Sequence, residues 1–277
     1  MKIQPTRWPA AVTEIDDPAD PRLGDFFRLN DPELRRRREQ PEGDHGFFVA
    51  EGALVIRQLL RSPYPVRAVL VTPQGLAALE ADLAATDAPV FVAEQSVVAA
   101  VAGFHFHRGA LASAARRPPA PLDDVVAGTG NVLLVEGVND NENLGALFRN
   151  GAAFGVGGLV LDRATADPLY RRTVRVSMGH ALRIPFARVD QATTAVERLQ
   201  ARGFEVLALT PAATAEDVAS IARRPRQALL VGAEGPGLTP AALEAADRCV
   251  RIPMAAGVDS VNVATAAAIA LHHLARY

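Results

Sequence analysis

A chain of 277 residues with 49% hydrophobic and 22% charged side chains has the profile of a globular protein, large enough for one big domain or two ordinary ones. Its single cysteine, Cys249, excludes an internal disulfide and fits a reducing cytoplasm, and a net charge of −2 argues against indiscriminate coating of nucleic acid while allowing a local basic site. The first twenty residues hold no signal-peptide core and no apolar stretch is long enough to cross a bilayer, so no membrane partner is expected.

Residues 1–45 are polar and rich in proline and charge. The run Arg35–Arg38 reads as a solvated helix face in preference to an RNA contact. From Gly46 the pattern becomes regular. A helix is expected over Glu51–Arg61, with Leu54, Val55 and Leu59 on one side, followed by a strand at Val66–Thr72 and a helix at Leu76–Leu83. A strand at Val90–Ala93, a helix at Gln95–Val101 and an extended stretch at Phe104–Ala112 complete a small α/β unit ending near Ala115. His105 and His107 fall on one side of that stretch, but no Cys or carboxylate cluster accompanies them, so no metal site is expected. The three prolines of Arg116–Leu122 disfavour helix and central strand alike, and residues 116–127 read as a linker.

A cleaner alternation occupies residues 128–277. Strands are predicted at Asn131–Val135, Gly158–Leu161, Pro185–Val189, Glu205–Thr210, Ala228–Gly232 and around Val250–Ile252. Helices are predicted at Leu144–Phe154, Leu169–Ser177, Ala192–Arg202, Ala215–Ile221, Pro240–Ala246 and Val261–Leu274. This order implies an α/β fold, a parallel sheet with helices on both faces, whose ligands sit at the carboxyl ends of the strands.

Three segments there carry unusual chemistry. In NDNENLGALFRNGAAFG (139–155), Asn143 and Arg149 are six positions apart, about 240° around a helix, so they do not share a stripe; Asn143 suits a cap or loop contact. In LLVGAEGPGLTP (229–240), Gly232, Gly235 and Gly237 permit close approach of backbone to a ligand, and Glu234 stands between them. This is neither a P-loop nor a dinucleotide fingerprint. In IPMAAGVDSVNVATAAA (252–268), Ser260 suits a helix N-cap and the alanines allow close packing.

In this order and spacing the segments resemble the three motifs of the SpoU/TrmH family of RNA 2′-O-methyltransferases: N-L-G-x-x-x-R, G-x-E-G-x-G and I-P-M-x-x-x-x-x-S-x-N-V. The resemblance covers about residues 128–277, and looser cues at 47–56 and 108–114 are similar to the family's small L30e-like substrate-binding domain. It implies a C-terminal trefoil knot, a homodimer and S-adenosyl-L-methionine as methyl donor. The implied substrate is structured RNA, with ribosomal RNA favoured over transfer RNA. The positions of Arg149, Asn143, Glu234, Ser260 and Asn262 match the family's active-site residues. Gly232, Ile252 and Val261, the last in place of a more usual leucine, match the cofactor pocket, to which Leu209, Thr210 and Gly237 are also assigned.

On this reading Arg149 holds an RNA phosphate and stabilises alkoxide charge developing on the ribose oxygen; a role as base requires a large fall in guanidinium pKa. From Arg149 to Arg188, seven arginines stand against two aspartates, a local +5 that would attract phosphates. His180 reads as an ordinary loop histidine. Two other readings stay open: an RNA-binding relative without activity, disfavoured by the presence of Arg149 and Asn262, and a nicotinamide dehydrogenase, disfavoured by the missing fingerprint.

Overall fold

The computed structural model describes residues 12–33, 46–128 and 130–275. The Arg35–Arg38 run lies outside them. The chain divides into two compact units, residues 1–118 and 119–277.

The first unit holds β1 (Val12–Glu14), β2 (Phe47–Glu51), α1 (Ala53–Leu60), β3 (Val66–Val71), α2 (Pro73–Leu83), β4 (Val90–Val92), α3 (Gln95–Ala102) and β5 (Ala110–Ala115). Its mixed sheet has the order β1-β4-β3-β5-β2, with β5 antiparallel to both neighbours. Every residue of β2 is buried, so FFVAE lacks the alternation that marks a strand in sequence. Glu51 pairs with Leu111 in the ladder, which delays the expected helix until Ala53. The extended stretch expected at Phe104–Ala112 forms its strand only from Ala110. Phe26, Phe47, Phe91 and Phe106 fill one core of this unit, and Thr72 caps α2 through a hydrogen bond from the Gly75 amide.

The second unit contains α4 (Leu122–Val125), β6 (Val132–Val135), α5 (Asn141–Ala153), β7 (Gly158–Leu161), α6 (Arg171–Val176), β8 (Phe186–Arg188), α7 (Ala192–Ala201), β9 (Glu205–Leu209), β10 (Glu216–Asp217), β11 (Gln227–Val231), α8 (Pro240–Ala245), β12 (Arg248–Arg251) and α9 (Val263–Leu274). Among the described residues its seven strands are all parallel, in the order β10-β12-β9-β11-β6-β7-β8. The continuous apolar runs VLLV, GLVL and QALLV are wholly buried, as a sheet covered on both faces requires.

Two expectations in this unit are corrected. Within residues 116–127, α4 buries Leu122 and Val125 in the core, and Pro121 starts the helix instead of preventing it. The helix expected over Ala215–Ile221 is a two-residue strand followed by a single turn at Val218–Ser220. Glu216 and Asp217 pair with Val250 and Arg251, while the Asp217 carboxylate accepts from the Ala219 amide, a local bond that competes with helix.

Parallel strands place their carboxyl ends on one edge, so the loops after β6, β9, β11 and β12 meet there. The last helix, α9, lies against α5 and is tied at both ends. Asn150 donates to the Ala264 carbonyl at 2.8 Å, and Asn131 donates to that of Leu274 at 3.1 Å.

Candidate active site

The helix α5 begins three residues before its predicted start. Asp140, not Asn143, is the cap: its carboxylate accepts from the amides of Glu142 and Asn143 at 2.9 and 2.8 Å. Asn143 is therefore in the first turn, buried, with its side chain available for other work. Gly145 is needed for packing: a Cβ there would lie 2.7 Å from Val176 Cβ and 2.9 Å from the Thr173 carbonyl oxygen, so α6 is admitted against α5 only because the site has no side chain.

The loop after β11 turns back on itself. The Gly237 amide donates to the Ala233 carbonyl at 3.0 Å. Glu136, at the end of β6, holds the loop's exit by accepting from the Thr239 amide at 2.8 Å and hydroxyl at 2.9 Å. Sequence reasoning missed Glu136, since one carboxylate after a strand forms no pattern.

The third segment supplies the junction. Asn262, and not Ser260, caps α9: its Oδ1 accepts from the amides of Ala264 and Thr265 at 2.9 and 3.2 Å. Its Nδ2 donates to Asn143 Oδ1 and Glu234 Oε1, both at 2.7 Å. One side chain thus joins residues from all three motifs, with Asn143 119 positions away in sequence. Asn262→Ala is expected to lower stability by about 1 kcal/mol for the cap alone, a melting shift of roughly 2–4 °C. Asn262→Ser keeps a capping oxygen and should recover that part only. Thermal melts check both, and an alanine variant as stable as the parent contradicts the assignment.

Nine of the eleven residues predicted for the site line one cavity of about 300 Å³. Leu209 and Thr210 come from the end of β9, and Gly232, Glu234 and Gly237 from the loop after β11. Ile252, Ser260, Val261 and Asn262 come from the segment after β12. Pro211 and Met254 also line it and were not anticipated. Asn143 stands behind the wall, bonded to Asn262.

Arg149 is not among the lining residues. It is exposed on α5 and makes no hydrogen bond or ion pair among the described residues. Its neighbour in charge is His180, on a short turn entered through Met178 and Gly179, both with positive φ (55° and 82°). Burial first, then the positive charges of Arg149 and Arg183, hold the His180 imidazole below its ordinary pKa. The unfolded chain therefore binds more proton at this residue as pH falls below about 6.5. The neutral ring's contribution to stability is present above that pH and is lost as pH drops through the lower folded value. His180→Gln should flatten this part of the dependence of melting temperature on pH; an identical curve for the variant would refute it.

The +5 stretch is not wholly free to meet phosphate. Arg172 pairs with Glu142, and Arg188 donates to the carbonyls of Asp162, Thr165 and Ala166 at 3.0, 2.7 and 2.6 Å. Among the described residues there is no cluster of three or more His, Cys, Asp or Glu fit to hold a metal, and no helix long and apolar enough to cross a membrane.

The SpoU rRNA Methylase family matches residues 130–272. The chain is 48% identical over 269 residues to an uncharacterized tRNA/rRNA methyltransferase of Mycobacterium tuberculosis, across 96% of this chain and 92% of that protein. It is 30% identical over 263 residues to the 23S rRNA (guanosine(2553)-2′-O)-methyltransferase RlmP of Bacillus subtilis, across 95% and 99%. The AdoMet-bound rRNA methyltransferase of Sinorhizobium meliloti superposes with a TM-score of 0.77 at 27% identity, covering 96% of this chain and 98% of that one. With more than half its length matched, and with relatives aligned almost end to end, the chain belongs to the SpoU rRNA methylase family.

Proposed function

We propose that this protein transfers a methyl group from S-adenosylmethionine to a ribose 2′-hydroxyl of structured RNA, with ribosomal RNA favoured over transfer RNA, in the cytoplasm. The observation that carries the reading is the shared cavity: segments near 209, 232–237 and 252–262 wall it together, and Asn262 links it to Asn143 and Glu234. The residues fit the cofactor. Leu209, Ile252, Met254 and Val261 offer apolar walls, and Gly232 keeps backbone where any Cβ would collide.

When bound, the sulfonium supplies an already activated methyl group. The protein's task is then to align the ribose oxygen and to ease loss of its proton. Arg149 suits the second role, because an unpaired guanidinium can hold a phosphate as a fork and stabilise negative charge on the attacking oxygen. Asn143, Glu234 and Asn262 fix the wall beside it, and the Ser260 hydroxyl is available to orient ribose or cofactor.

Arg149 lies off the cavity of its own chain, so the reading includes a homodimer whose RNA groove spans both subunits. It also includes an L30e-like role in substrate binding for the first unit, which lies within the 96% of the chain covered by the Sinorhizobium meliloti match. The trefoil knot belongs to the same reading, supported by family membership and the likeness of fold to the Sinorhizobium meliloti enzyme. Calorimetric titration with S-adenosylmethionine, followed by mapping 2′-O-methyl marks in ribosomal RNA from cells lacking the protein, tests it. No heat of binding and no missing mark would end the proposal.

A further inference from the structure

A second cavity of about 430 Å³ opens at the carboxyl ends of β7 and β8, walled by Arg163, Arg188, Val189, Asp190, Thr194 and Arg198. Three guanidiniums converge on it in different states. Arg188 is a fixed charge, held by its three carbonyl bonds. Arg198 shares Asp123 with Arg202. Arg163 is exposed and has no hydrogen bond or ion pair among the described residues.

Like charges gathered in one cavity repel one another and gain most from an anionic ligand. Asp190, also exposed, adds an acceptor to the same wall, where it would weaken a site for a bare anion. A ribonucleotide backbone presents both partners at once: an anionic phosphate and, on the adjoining sugar, a hydroxyl donor. The Thr194 hydroxyl provides a further neutral contact. The position is apt as well. β8 is three strands from β11 on the same edge of one sheet, about 14 Å at normal strand spacing.

We propose that this cavity is a backbone subsite for the RNA substrate, in which Arg163 and Arg198 contact a phosphate, Arg188 supplies fixed charge behind it, and Asp190 accepts from a ribose 2′-hydroxyl. The proposal rests on the RNA methyltransferase reading. Its test uses the full-length protein, an unmodified 23S rRNA transcript, and a short mixed-sequence RNA with its DNA counterpart. Arg163 makes no internal side-chain bond among the described residues, so Arg163→Ala should fold normally and bind S-adenosylmethionine as the parent does. It should weaken binding of both RNAs about three- to tenfold at low salt and reduce the slope of log affinity against log salt by about 0.7–0.9, one phosphate contact. Asp190→Asn should narrow the preference for RNA over DNA.

Unchanged affinity and slope for Arg163→Ala overturn the subsite. So does inorganic phosphate binding that depends on Arg163 while RNA binding does not, since that marks a free-anion site. The two readings fail separately. RNA bound with the Arg163 dependence but never methylated counts against the enzyme reading alone, whereas methylation with a parent-like Arg163→Ala counts against the subsite alone.

Discussion

Arg149→Ala is expected to retain S-adenosylmethionine binding and to lose methyl transfer by at least about 10²–10³-fold, the usual effect of removing one preorganised stabiliser of transition-state charge. Two observations predict this separation. The side chain does not line the cavity, so its loss leaves the donor's walls intact. It also makes no internal bond among the described residues, so its removal should cost little stability. Arg149→Lys sharpens the test, because an ammonium keeps the charge but not the planar fork, and should restore only part of the rate. Calorimetry for the donor and single-turnover transfer to RNA measure the two effects independently. Near-parental transfer by the alanine variant removes Arg149 from the mechanism.

Gly232→Ala should act in the opposite sense, on the donor. A Cβ at this position would lie 2.4 Å from the Gly237 carbonyl carbon and 2.5 Å from the Leu238 nitrogen. Both are backbone atoms, and no rotamer change moves them aside. The loop has little room to yield, because the Ala233–Gly237 bond closes it and Glu136 clamps its exit at Thr239. Relief therefore requires displacing residues that wall the cavity. Overpacking of this kind costs typically 1–3 kcal/mol. Affinity for S-adenosylmethionine should fall by about two- to tenfold if half of that cost reaches the bound state. A folded Gly232→Ala protein that binds the donor normally would show that this wall is dispensable.

How much of this was readable beforehand varied with the range of the interaction. The parallel sheet was legible because VLLV, GLVL and QALLV are short apolar runs set between helical patterns. The cavity residues were legible through the resemblance of three separated segments to the family's motifs. The functions of individual polar atoms were not. Asn262 looked like a companion to Ser260, yet it is the residue that caps α9 and joins Asn143 to Glu234. Asn143 suits a cap by residue type, but Asp140, three positions earlier, has the same chemistry and takes that place. The two-residue β10 exists through pairing with β12, more than thirty positions away, and no local pattern announces it. Counting arginines likewise overstated the groups free to reach a phosphate, because Arg172 is paired with Glu142 and Arg188, though still charged, is fixed by three carbonyls.

The Asn262 junction also bears on the order of events during maturation. Its amide can complete the wall only once residue 262 has been made and seated, 119 positions after Asn143 and 28 after Glu234. The cavity wall is therefore complete only when the segment leading into α9 is in place. Once docked, α9 is retained by mass action: donor at a hundred times its dissociation constant would add about 2.7 kcal/mol against release. The molecule the cavity holds would thus also strengthen the fastening of the helix that completes it.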